Sequence, residues 1–273
     1  MDPKISLVLV TYNEAHFLPE CLRRLAFCDE LIVVDLGSDD ECVSIAESFG
    51  AKVYNHPRVP IVEKIHNFAL ERTSHDWVLF ADPDQYYPEG IGGRIKAMIT
   101  HYADFHLGKV LIPEVTWFGG RPLLHGQKGG VRDRKTLINR REVEVSDLVH
   151  HRGKILKEGA IELGLVRQDN EAIQHYWVES IKEAYASARR YLPFEGESRF
   201  SVGQRFAWKK MFLDLGYSLQ ADLINHALLD WRAIQVMIFQ LWYTWNANLS
   251  LRGYCREHLV AGEKPTERNQ GQS

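Results

Sequence analysis

The sequence predicts an α/β protein in which a mostly parallel sheet carries helices on both faces and is followed by a helical appendage. Three observations carry this reading. Short unbroken apolar runs, such as Trp77-Val-Leu-Phe-Ala81, have the pattern of strands buried on both faces. They alternate with segments of similar length whose apolar positions recur at helical spacing. From Arg199 onward the strand pattern gives way to helical periodicity, and a polar tail, 261–273, has the composition of a disordered segment.

Ile5 to Val10 is the first predicted strand, left through the turn Thr11-Tyr-Asn-Glu14. Ala15 to Phe27 follows as a helix, with Phe17, Leu18, Cys21, Leu22 and Leu25 on its apolar face. Leu31 to Val34 is the second strand and ends at Asp35. Ser38 or Asp39 then caps a helix over Asp40 to Phe49, and Gly50 closes it. Ala51 to Tyr54, Val62 to Arg72 and Asp76 to Ala81 give a third strand, a third helix and a fourth strand. Beyond Pro88 the pattern loosens. Lys109 to Ile112 and Thr136 to Asn139 read as strands, and glycine-rich Phe118 to Gly130, with His125, as a mobile loop. Glu179 to Tyr191 reads as a helix that Pro193 and Gly196 break.

The chain has 273 residues and a formal net charge of -3, a near-neutral balance that argues against nucleic-acid binding. Cys21, Cys28, Cys42 and Cys255 show no paired spacing and read as reduced, buried thiols. No basic, cleavable leader opens the sequence, and no apolar run reaches the roughly 18 residues that span a bilayer. The expected location is cytoplasmic, with attachment to a membrane surface left open.

Asp82-Pro-Asp84 ends the fourth strand. Residues two apart on extended chain point the same way, and Pro83 offers no N–H to continue the ladder. Two carboxylates there suit a hard divalent cation, Mg²⁺ or Mn²⁺, that also holds phosphate oxygens. Alone, the triplet also fits a solvated turn. In a parallel sheet, however, Thr11 to Glu14, Asp35 to Asp39 and Asp82 to Asp84 all leave the same rim, where ligands bind such sheets.

These stretches resemble the family 2 glycosyltransferases, whose fold is the GT-A nucleotide-diphospho-sugar transferase fold. The resemblance rests on Val10-Thr-Tyr-Asn-Glu14, Ile32-Val-Val-Asp-Leu-Gly-Ser-Asp39, Asn67-Phe-Ala-Leu70 and Asp76-Trp-Val-Leu-Phe-Ala-Asp-Pro-Asp84. Val149-His150 and His175-Tyr176 are similar to pairs in the branch acting on lipopolysaccharide core and other surface polysaccharides. The resemblance implies a catalytic domain over 1–178, split into a nucleotide-sugar half, 1–115, and an acceptor half, 116–178. A helical region over 179–260 follows it.

The resemblance also implies roles. Tyr12 stacks on a uracil ring with Thr11 beside it, and Asp35 accepts the base's N–H. Glu14 approaches the ribose, while Lys64 and Asn67 face the diphosphate. Asp82 reaches the ribose or a metal-bound water, and Asp84 holds the metal. His175 either completes the metal's coordination or is a core histidine bonded to a carbonyl. His150 lines the acceptor pocket, with His151 beside it. A carboxylate after His125-Gly126 takes the acceptor's proton: Asp133, unless it is tied to Arg132 or Arg134 on a surface turn, with Glu114 and Asp147 as alternatives.

Gly90-Ile-Gly-Gly93 is similar to a dinucleotide fingerprint but follows the acidic turn instead of the first strand, which disfavours a nicotinamide dehydrogenase. In the C-terminal region Leu228, Trp231, Ile234, Ile238, Leu241, Trp242, Trp245 and Leu249 lie at helical spacing. Ahead of them Arg199 to Lys210 interleaves basic and aromatic residues. This region packs on the catalytic domain, pairs with a second copy, or lies on a membrane. The expectation is a metal-dependent, inverting transfer of sugar from a UDP-sugar to a hydroxyl of a glycan or lipid-linked acceptor. The alternative is a catalytically silent domain that binds nucleotide-sugar or scaffolds a partner.

Overall fold

The computed structural model describes residues 2–146, 153–167 and 171–260, apart from the side chains at 135, 136, 259 and 260. Its elements in chain order are β1 (Ile5–Thr11), α1 (Leu18–Arg24), β2 (Glu30–Asp35), α2 (Cys42–Ser48) and β3 (Lys52–Asn55). A 3₁₀ turn (Val62–Ile65) leads into α3 (His66–Leu70), followed by β4 (Trp77–Ala81), β5 (Gln85–Tyr86) and α4 (Ile91–His101). The chain continues through β6 (Leu107–Phe118), β7 (Arg121–Pro122), β8 (Val131–Asn139), β9 (Val143–Val145), β10 (Lys154–Leu156), β11 (Ile161–Gly164) and β12 (Ile173–Val178). Three long helices follow: α5 (Ile181–Ser201), α6 (Trp208–Ile224) and α7 (Trp231–Val260).

The large sheet runs β3-β2-β1-β4-β8-β6-β12-β5. β1 to β4 are mutually parallel, whereas β8 lies antiparallel between β4 and β6. Strand order reverses between β1 and β4, so the cleft opens above those two C-terminal ends. Both faces of β1 are covered: Leu7 and Leu9 join the cluster under α1 and α4, Val8 and Val10 the one under α3. Burial on both sides explains why these strands read as unbroken apolar runs.

The loosely patterned middle differs from expectation. β6 runs 12 residues, far beyond Lys109 to Ile112, and β8 starts at Val131 instead of Thr136. The segment after Phe118 is held in place. It forms β7, buries Leu123 completely, and is bonded to α6 and the turn after it through Gly126 N to Asn225 O (2.8 Å) and Gln127 N to Asp222 Oδ1 (2.6 Å). α5 continues through Pro193 and Gly196. Gly196 lies so close to α7 that a Cβ would meet Ser250 O at 2.5 Å, and its N–H donates to Ser250 Oγ (3.0 Å). Tertiary contact carries the helix past a residue that breaks isolated ones. Of the fingerprint-like glycines, Gly92 serves packing: a Cβ there would sit 2.3 Å from the Phe27 ring.

Among the described residues no helix is long and apolar enough to cross a membrane. The four cysteines are free and buried. Asp147, Val149, His150 and His151 lie outside the described residues, as does the tail 261–273.

Candidate active site

The rim expected from the sequence is assembled. Thr11 and Asp35 are register partners on β1 and β2, and Leu9 pairs with Ala81, one residue before Asp82. Asn13 adopts a left-handed backbone (φ 55°), which lets its Oδ1 accept from Asp39 N (2.8 Å) while its N–H donates to Ser38 Oγ (3.0 Å). That pair of bonds locks the β1 and β2 turns together. Asp35 is buried, and its carboxylate accepts from Gly37 N (2.9 Å) and Ser38 N (3.0 Å), shaping the turn it begins. The Arg58 guanidinium lies 3.9 Å over the Tyr12 ring, a cation–π contact that a stacked base would share or displace.

Glu14 accepts from Thr11 Oγ1 (3.4 Å) and Tyr12 N (3.3 Å) and leans toward the β4 carboxylates. Burial, then the charges of Asp84 and Asp82, push its pKa up to about 8 despite those bonds. Lys64 is exposed and points toward α5, its Nζ 4.9 Å over the Phe194 ring, while Asn67 is half-buried on α3.

β5 follows Asp84 directly and pairs antiparallel with β12, His175 opposite Gln85; Tyr176 N also donates to Asp84 O (2.9 Å). This pairing brings a histidine 91 positions away in the chain to the acidic turn. His175 Nε2 is 3.4 Å from Asp84 Oδ2, and His175 Nδ1 is 3.3 Å from Glu114 Oε1. Glu114 in turn meets Arg134 Nη1 (3.0 Å), whose Nη2 donates to Asp82 Oδ2 (2.6 Å). Gln85 Nε2 donates to the same Asp82 oxygen (2.7 Å). Burial works against the charge on His175, but Asp84 and Glu114 prevail and raise its pKa to about 9. Burial likewise opposes ionised Glu114, yet Arg134 and His175 hold it at about 2.

The arrangement fits a divalent cation. Asp84 Oδ1 is buried without a hydrogen-bond partner, an orphan lone pair beside an imidazole nitrogen. Glu114 behind the other ring nitrogen completes the carboxylate–histidine–metal pattern of bound metals. Among the described residues no cage of three or more such ligands exists, so an ion here would take further ligands from water and phosphate oxygens, as Mg²⁺ does. Asp82, expected to share the metal, accepts from Arg134 and Gln85 through its Oδ2 alone.

Asp133 is not brought to the cluster. Arg132 pairs opposite Glu114 across β8 and β6, and Arg134 opposite Ile112, so those residues share the cleft face. Asp133 lies between the two arginines in sequence, hence on the other face, where it sits 3.4 Å from Arg167. The ion pair expected with Arg132 or Arg134 is made with Arg167. The residues missed were cations. Arg134 bridges two carboxylates; Lys128 lies 4.6 Å over Trp177, and burial, then Arg132, lower its pKa to about 8. Lys154 is buried with its Nζ 4.1 Å over the Phe80 ring; burial, then Arg134, lower its pKa to about 7. No motif or spacing in the sequence marks Lys154, which stands on the separate β9–β10 ribbon.

The family model described as "Glycosyl transferase family 2" matches residues 6–162, more than half of the chain. The chain belongs to glycosyl transferase family 2. Its sheet is accordingly the GT-A fold, and the chain is a glycosyltransferase. Among curated relatives, a Rickettsia felis protein named as a glycosyltransferase is 26% identical over 212 residues, 75% of this transferase and 73% of that chain. The poly(ribitol-phosphate) beta-N-acetylglucosaminyltransferase TarS of Staphylococcus aureus is 27% identical over 172 residues, 58% of this transferase but 29% of TarS. Among solved structures, TarS 1–349 in complex with UDP aligns with a TM-score of 0.47 at 17% identity, covering 93% of this transferase and 92% of that chain. Glucosyl-3-phosphoglycerate synthase from Mycobacterium tuberculosis with Mn²⁺ and UDP gives 0.34 at 24% identity over 43% and 45%.

Proposed function

We propose that this transferase moves a sugar from a UDP-sugar to a hydroxyl of a glycan or glycolipid of the lipopolysaccharide-core or surface-polysaccharide type, with inversion at the anomeric carbon. The observation that carries the reading is the junction of Glu14, Asp82, Asp84 and His175 above the β1–β4 switch point. The uracil end lies by Tyr12 and Asp35, with Thr11 and Glu14 between base and ribose. Lys64 and Asn67 stand on the adjoining helical turns. Asp82 is oriented by Arg134 and Gln85 toward the same space. Asp84 and His175 hold Mg²⁺ or Mn²⁺, which supplies positive charge to the departing diphosphate. Arg134 adds a fixed positive charge beside Asp82, and Lys154 adds one that is lost as pH rises through about 7.

In the transfer, the acceptor oxygen bonds to the anomeric carbon as the bond to UDP breaks, and a base removes the hydroxyl proton. Of the carboxylates considered for that step, Asp133 faces away and Asp147 lies outside the described residues. Glu114 is on the cleft face, where it also fixes His175.

One observation favours the silent-domain alternative: β8 presents Arg132 and Arg134 to the cleft and turns Asp133 away. A thermal-shift screen of UDP-sugars with and without Mn²⁺, followed by UDP-release assays on the stabilising donor, separates the two. Metal-dependent stabilisation with UDP release supports transfer. Stabilisation without release, with any acceptor glycan, supports the silent domain.

A further inference from the structure

α6 is turned inside out. Beside fully buried Met211 its inward side carries Ser218 and Asp222, both buried, while Phe212, Tyr217 and Ile224 point outward at 59%, 66% and 65% exposure. Leu213, Gly216 and Leu223 lie among them on the same face, also exposed. The turn after α6 extends the apolar surface through Leu228, Leu229 (74%) and Trp231. The inversion has a local cause. Asp222 accepts from Gln127 N (2.6 Å) and Ser218 Oγ reaches Gln127 Oε1 (3.3 Å), so the polar side is needed to hold the acceptor loop. Among the described residues, the apolar side is left without a partner. Contiguous exposed apolar patches beyond about 300–600 Å² are uncommon on soluble monomers and mark contact surfaces.

Charge identifies what meets it. The outward face of α6 carries Lys209 and no acidic side chain. Asp214 is tied to Lys210 (2.9 Å) and Asp222 faces inward. At its N-terminal end stand Arg205 and Arg252, the latter with its guanidinium 4.7 Å over Trp208. A two-fold contact would set this face against itself, with no carboxylate to answer those cations. An anionic lipid surface answers both features, apolar side chains entering the acyl boundary and the basic end meeting headgroups. Trp208, Tyr217 and Trp231 are residue types that favour that boundary.

We propose that the outward face of α6, continued through Leu228, Leu229 and Trp231, docks the protein flat on an anionic lipid bilayer. Because the same helix holds Gln127 and the residue just past its end holds Gly126 from behind, the acceptor loop lies about one helix diameter, ~10 Å, from the lipid. That placement favours a lipid-linked acceptor. The acceptor consequence rests on the transferase reading, whereas docking stands without it.

The test is co-sedimentation of the full chain with vesicles of phosphatidylglycerol and phosphatidylcholine or of phosphatidylcholine alone. The wild type is expected in the pellet with anionic vesicles, with roughly tenfold weaker binding to neutral ones or in high salt. Phe212→Ser with Ile224→Ser is expected to weaken binding at least about tenfold, and Lys209→Glu to remove the anionic preference. All three positions are exposed, and an unchanged circular dichroism melt confirms that these variants fold. Absence of binding to anionic vesicles overturns the proposal, as does equal binding by the folded double variant. A dimer in light scattering that the double variant splits, without vesicle binding, overturns it in favour of a second copy.

Discussion

Glu114 sits between Arg134 and His175 with both of its oxygens engaged, so removing its charge frees the histidine ring and leaves a buried arginine half-paired. Glu114→Gln is expected to lower metal affinity or turnover by roughly 10–100-fold, whereas Asp133→Asn, on the opposite face, stays within about twofold. Steady-state kinetics on the two variants check this, and the reverse order would return the acceptor role to Asp133. Lys154 gives a pH signature. Its folded pKa of about 7 lies below its ordinary value, so the ammonium is present below pH 7 and lost above it. UDP affinity should therefore fall as pH rises through 7, and Lys154→Arg should flatten that fall, as titrations between pH 6 and 9 would show. At this scale the sequence was readable where a residue belonged to a motif, as with Tyr12, Asp35 and Asp84. It was not readable on β8, because Leu137 and Ile138 are both fully buried and leave no alternation to tell Asp133 from Arg134.

Elements followed the same logic. β1, β2 and β4 announced themselves because each is buried on both faces, and the edge strand β3 followed from its place between two helices. The middle strands did not, because β6 is irregular in register and β8 mixes charge with apolar residues at the cleft. α5 was cut short in expectation at Pro193, since a proline's effect on a helix depends on partners such as Ser250 that only the fold supplies. α7 shows the sharpest difference. Of the stripe read as packing on the domain, pairing with a second copy or lying on a membrane, Ile234, Leu241 and Trp242 pack inward, Trp231, Ile238 and Trp245 are exposed, and Ala233, Val236, Ala247 and Leu251 are buried. Periodicity locates a face but does not say whether the bulky residues or the small ones meet the neighbour. Gly92 tests element packing directly. Gly92→Ala places a methyl against the base of the Phe27 ring and is expected to destabilise the protein by about 1–3 kcal/mol in urea unfolding. A neutral result would mean that α4 and the segment after α1 do not pack closely.

For the whole molecule, the parallel half supplies three rim turns and the mixed half supplies the residues that close over them. The junction is made by β12, which joins β6 on one side and β5 on the other and so places His175 against Asp84. Chain order gave the first half; the closure depends on pairing across nearly a hundred residues, which no local pattern encodes. A calorimetric titration of UDP in Mn²⁺ and in chelator, on wild type and Asp84→Asn, tests that junction most directly. Metal should tighten UDP binding to the wild type by at least about tenfold, and the substitution should remove the gain. Equal UDP affinity in all four titrations would contradict a metal-bridged donor site at Asp84 and His175.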